Sequence, residues 1–134
     1  MLSRTSLTFG MAAGLVTGLL LLTSAAQALT IKPFTSAEFA AAQSAGSAVA
    51  LHFHADWCPT CKAQSTAFNS LKADPALDKV TLLVADYDKE KTLKKQMNVR
   101  VQSVVIVFKG KAEVARDGGT TDPAKLKALL SSAL

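Results

Sequence analysis

Hydrophobic and polar positions divide this chain into an apolar leader and a patterned domain. Leu7 to Leu22 is predominantly apolar, and no charge occurs between Arg4 and Lys32. Beyond it, apolar positions recur with the periods of strands and helices. Thr35-Ser36-Ala37-Glu38 has capping-box spacing and predicts a helix through about Ser44. Val49 to His54 alternates, with Val49, Leu51 and Phe53 on one face of a strand and His52 and His54 on the other. A helix should follow from Pro59 to about Lys72 and stop before Pro75. Val80 to Ala85 reads as a strand and Glu90 to Met97 as a short basic helix. The β-branched run Val104 to Phe108 suits a buried central strand. Lys109-Gly110-Lys111 turns it into another strand, Ala112 to Arg116. Asp122 is an N-cap candidate before Pro123, with Leu126, Leu129 and Leu130 on the inner face of a closing helix. The order is β-α-β-α-β-β-α behind one extra helix, which predicts an α/β fold: a mixed sheet flanked by helices.

The leader changes the picture of where the domain works. Arg4 and the amino terminus supply its only positive charges, and Ala26-Gln27-Ala28 forms a small-x-small cleavage signal. That order is the secretory pattern, so Met1 to Ala28 is expected to be a signal peptide and residues 29–134 the mature domain. The alternative is an uncleaved anchor, although the dense apolar core of about 16 residues falls short of the roughly 20 that span a bilayer. Both readings place the domain outside the cytoplasm, in the periplasm or secreted, either free or tethered.

Charge excludes more than it suggests. The net charge is +5, and loss of Arg4 with the leader would leave +4. Lys89, Lys91, Lys94 and Lys95 cluster around the basic helix, but no aromatic residues interleave with them, so nucleic-acid binding has no support.

Both cysteines fall in Trp57-Cys58-Pro59-Thr60-Cys61-Lys62. Thiol–disulfide exchange needs one thiolate to attack and a second thiol nearby to release the mixed disulfide. A cysteine just ahead of a helix gains from the positive end of the helix dipole, which favours the thiolate. In an oxidising compartment such a pair is a working redox couple rather than a staple.

A C-x-x-C alone is weak evidence, because zinc half-sites share it. Here it lies between a predicted strand and helix, with Phe53, Ala55 and Asp56-Trp57 ahead of it. Ala85-Asp86-Tyr87-Asp88 ends the next strand, and Val104 to Gly110 follows. On these residues the chain from about Val49 to Leu134 resembles the thioredoxin superfamily. The resemblance implies a thioredoxin-like fold, with Cys58 as the exposed nucleophile and Cys61 as the shielded resolving thiol. It also implies client docking at Trp57, Pro59, Gln102 and Ser103. The implied function is a secreted thiol–disulfide oxidoreductase, a reductase rather than an oxidase. It would be a monomer acting on protein disulfides or dithiols, recharged by an inner-membrane thiol donor. It needs no organic cofactor, because Cys58 and Cys61 carry the electrons.

Three departures from the family pattern stand out. His52 stands where an acidic residue is usual, six before Cys58, and Val84 replaces its usual lysine neighbour. An imidazole there is a candidate proton acceptor for Cys61, with an unperturbed pKa near 6.5. Its alternative is a core histidine. His54 takes a position where an aromatic is commoner. Ser103 takes the place of the family's cis-proline, so the Gln102–Ser103 peptide is either trans in a reshaped loop or held cis under strain. A cis bond before serine costs about 2.5–4 kcal/mol. With the proline gone, a metal-binding or metal-delivery role through Cys58, Cys61, His52 and His54 is one alternative function. A non-catalytic interaction module is the other.

Overall fold

The computed structural model describes residues 28–134. The leader expected over Met1 to Ala28, and with it the question of cleavage or anchoring, lies outside the described residues apart from Ala28 itself. The elements are β1 (Thr30–Pro33), α1 (Ser36–Ser44), β2 (Ala48–His54), α2 (Pro59–Ser70), β3 (Val80–Asp86), α3 (Lys91–Gln96), β4 (Val104–Lys109), β5 (Ala112–Gly118) and α4 (Pro123–Ser131). A 3₁₀ turn at Pro75–Leu77 separates α2 from β3. The sheet order is β1-β3-β2-β4-β5, the mixed α/β architecture the pattern predicts. One strand is additional: β1 pairs in parallel with β3 at the sheet edge, from Thr30 opposite Thr81 to Pro33 opposite Val84.

The α1 and α4 caps do what their residue types predict. The Glu38 amide donates to Thr35 Oγ1 at 3.1 Å, and the Lys125 amide donates to Asp122 Oδ1 at 2.9 Å. Strand β2 is buried on both faces and organises two cores. Val49, Leu51 and Phe53 meet Phe39 of α1 and Leu93 of α3. Ala48 and Ala50 on the opposite face meet Phe68 of α2 and Leu126 and Leu130 of α4. Each large apolar side chain buried this way contributes about 1.5–3 kcal/mol.

Strand directions place the site. β2 and β3 run parallel, so their carboxyl ends lie together, His54 opposite Asp86. β4 runs antiparallel to β2 and has Val105 opposite His52, which brings the residues before β4 to the same end. At the far end, Gly110 turns β4 into β5 with φ +57° and donates its amide to Ser47 O at 2.9 Å. A Cβ at Gly110 would lie 3.1 Å from Gly46 Cα, so this turn needs glycine for space as well as for backbone conformation.

Candidate active site

Cys58 is the N-cap of α2. Its extended backbone, φ −93° and ψ 113°, turns the sulfur back over the first helical turn, where it accepts from the Cys61 amide at 3.1 Å. Pro59 fills the first helical position, where a missing N–H costs nothing. Both sulfurs are free thiols, and the exposure expected of Cys58 is not found: it is only 2% exposed, covered by the loop that carries Ser103, and Cys61 is fully buried.

The loop before β4 closes over them. Among the described residues no peptide is cis, so the Gln102–Ser103 bond is trans, and the reshaped loop is the alternative that holds. Ser103 has φ +66°, left-handed backbone that serine adopts at a cost of about 1–3 kcal/mol. Its amide donates to Phe53 O at 2.9 Å, tying the loop to the end of β2. Its hydroxyl oxygen lies 3.2 Å from Cys58 Sγ and 3.2 Å from Cys61 Sγ.

Gln64 holds that arrangement, and sequence reasoning missed it. Its Nε2 donates to Ser103 O and to Thr120 O, each at 3.0 Å. Both amide hydrogens are thereby used, so Oε1 is the acceptor facing His52 Nε2 at 3.0 Å. The network thus assigns the His52 proton to Nε2. Nδ1 is a bare acceptor, buried with no partner among the described residues. His52 touches Gln64 and stacks edge-on against Phe68, and it makes no hydrogen bond to Cys61. The readable signal for Gln64 was its spacing: it lies three residues after Cys61 on the buried stripe continued by Ala67 and Phe68.

Electrostatics separate the two thiols. Burial works against a Cys58 thiolate. The Cys61 thiol, the Ser103 hydroxyl, the Cys61 amide and the Gln102 side chain outweigh it and bring the Cys58 pKa below the ordinary thiol value. Burial pushes Cys61 up, and its neighbour Cys58 pushes it further, so its proton stays on. Burial also lowers His52 to about 4, against the pull of its bond to Gln64, leaving the ring neutral at physiological pH.

The other candidates lie around the rim. Trp57 is 59% exposed and its indole N–H donates to Asp88 Oδ2 at 2.8 Å. His54 faces Asp56 Oδ1 at 3.2 Å and Ser65 Oγ at 3.3 Å, not the sulfurs. The structure therefore does not gather His52, His54 and the two cysteines: among the described residues no three His, Cys, Asp or Glu side chains converge as a metal set.

A family model described as thioredoxin matches residues 30–132. This chain belongs to the thioredoxin family. It is 34% identical to the structure of Trxlp from Edwardsiella tarda EIB202, covering 75% of this chain and 98% of that one with a TM-score of 0.72. It is 34% identical over 83 residues to a Chlamydia trachomatis thioredoxin, 62% of this chain and 79% of that protein. Thioredoxin 2 of Plasmodium falciparum is 32% identical over 68 residues, 51% of this chain and 43% of that protein. The chain thus spans less than half the length of that last relative. As a thioredoxin domain with both cysteines of its C-x-x-C in place, it carries the parts that thiol–disulfide exchange requires.

Proposed function

We propose that this chain is a thiol–disulfide oxidoreductase that works outside the cytoplasm as a reductase of protein disulfides. The observation that carries the reading is the asymmetry of the two thiols. Cys58, at the start of α2, favours the thiolate, and Cys61, one turn deeper, keeps its proton. Cys58 attacks a client disulfide and Cys61 resolves the mixed disulfide, leaving the client reduced and the pair oxidised. Trp57, Pro59, Gln102 and Ser103 form the docking rim. Trp57, adjacent to Cys58 in the chain and 59% exposed, gives it an apolar surface next to the nucleophile. His52 acts from beneath, through Gln64, by supporting the loop that carries Ser103.

The reducing direction rests on likeness to thioredoxins, and the location rests on the leader's charge and hydropathy pattern. Outside the cytoplasm a membrane-bound thiol donor returns the pair to its reduced form, and the domain works as a monomer. The test is turnover of insulin disulfides by the purified mature domain with dithiothreitol, alongside its reduction potential. Cys58→Ser is expected to abolish turnover and Cys61→Ser to accumulate mixed disulfides. An inert wild-type protein, or clients trapped by Cys58→Ser instead, overturns the reading.

A further inference from the structure

We propose that Ser103 is a catalytic residue that lends its one hydroxyl hydrogen first to Cys58 and then to Cys61, with Gln64 as the positioning residue that keeps it between them. This rests on the exchange chemistry proposed above. The hydroxyl oxygen is 3.2 Å from each sulfur. A serine hydroxyl has one hydrogen to donate and two lone pairs to accept with. In the reduced pair, the Cys58 thiolate receives both the Ser103 O–H and the Cys61 S–H, and the hydroxyl oxygen stays 3.2 Å from Cys61 as well.

The charge then moves. Cys58 thiolate attacks the client disulfide, one client sulfur becomes bonded to Cys58, and the other leaves as a thiolate. Cys58 is no longer an anion, so the hydroxyl has nothing charged to hold on that side. The Cys61 proton passes to the released client thiolate, and the Ser103 O–H turns to the new Cys61 thiolate. Cys61 attacks Cys58, the Cys58–client bond breaks, and its electron pair leaves with the client sulfur. The client disulfide has gained two electrons and one proton, and Cys58 and Cys61 have formed a disulfide.

Such a swivel requires the oxygen to stay in place while its hydrogen turns. The trans loop does this through three backbone anchors. The Ser103 amide is held by Phe53 O, and Ser103 O receives the Gln64 amide at 3.0 Å and the Gly119 amide at 3.0 Å. Gln64 also grips Thr120 O, so the loops before β4 and after β5 are fixed together.

The experiment separates attack from resolution by rapid mixing of the reduced protein with a fluorescent peptide disulfide, followed by acid trapping of the mixed disulfide. Ser103→Gly removes the hydroxyl at a backbone angle glycine adopts freely, and Ser103→Ala removes the oxygen and keeps Cβ. Both are expected to slow resolution by about 10-fold or more, the loss for one hydrogen bond to a charged sulfur, with a smaller effect on attack. Gln64→Glu keeps an acceptor for His52 and loses both amide donors, and is expected to show the same selective slowing of resolution. Wild-type resolution in Ser103→Gly overturns the proposal, even where Ser103→Ala is slow, because the effect is then backbone strain. An unchanged balance of the two steps in Gln64→Glu overturns the part assigned to Gln64. A wild-type protein that attacks no disulfide overturns this proposal and the oxidoreductase reading together. Turnover by the wild type with an unaltered Ser103→Gly overturns this proposal alone.

Discussion

His52 should make this domain lose stability in mild acid. The ring is fully buried and its pKa is lowered from 6.5 to about 4, so the unfolded chain takes up the proton first. A depressed folded pKa gives stability that is complete above pH 6.5, declines as pH falls, and is exhausted near pH 4. With those two values, lowering pH from 7 to 5 costs about 2 kcal/mol, and the full window costs about 3 kcal/mol. The paired carboxylates Asp74, Asp86 and Glu113 are held below their ordinary values, so they release their contribution at lower pH and leave the upper part of the window to histidine. The assay is urea unfolding at half-unit steps between pH 7.5 and about 5, comparing wild type with His52→Gln, whose amide still offers a hydrogen to Gln64. The wild-type midpoint should fall and the variant's should stay nearly level. Equal slopes in the two proteins would sink the argument, since the effect would then not come from His52.

Gly110→Ala should lower the thermal midpoint by roughly 8 °C or more, because a Cβ at φ +57° costs about 1–2 kcal/mol and meets Gly46 Cα at 3.1 Å; an unchanged midpoint contradicts the packing argument. Ser103→Pro should destabilise by about 2 kcal/mol or more, since proline cannot adopt φ +66° and removes the amide that bonds Phe53 O. A stabilised variant in denaturant titration would show that the loop can re-form around proline. Asp88→Ala should free the indole of Trp57, the single tryptophan, and lower its fluorescence anisotropy. Exchange with a peptide disulfide should slow more than exchange with a small disulfide, and equal effects would place Trp57 outside the docking rim.

The elements that sequence made legible are those whose periodicity has one cause. β4 read as the buried strand it is, β2 read as an alternating strand although both its faces are buried, and the α1 and α4 caps lie at the residues whose side chains bond the first turn. β1 escaped because Thr30–Pro33 is short, ends in proline and is half exposed at an edge, so its pairing with β3 leaves no alternation to see. Cys58 and Cys61 were visible from spacing, and His52 and Ser103 were visible as departures. Their geometry was not. Nothing in Gln102-Ser103-Val104 states that serine will turn left-handed, because that follows from the β2 carbonyl and the Gln64 amide that claim its backbone. Gln64 stayed hidden because a polar residue on a helix is ordinarily a surface residue, and only tertiary structure reveals it as fully buried.

The left-handed turn at Ser103 also bears on how such a sequence can change by single substitutions. A proline there demands φ near −65°, and the present backbone stands at +66°. No intermediate residue makes both geometries comfortable except glycine, which lacks the hydroxyl. Asparagine and aspartate tolerate the turn but would crowd two sulfurs that now sit 3.2 Å from a small oxygen. The position is therefore a ratchet. Reversal to proline requires the loop, Gln64 and the strand-end carbonyl to change together, so relatives built on either solution should form separate lineages with few passages between them.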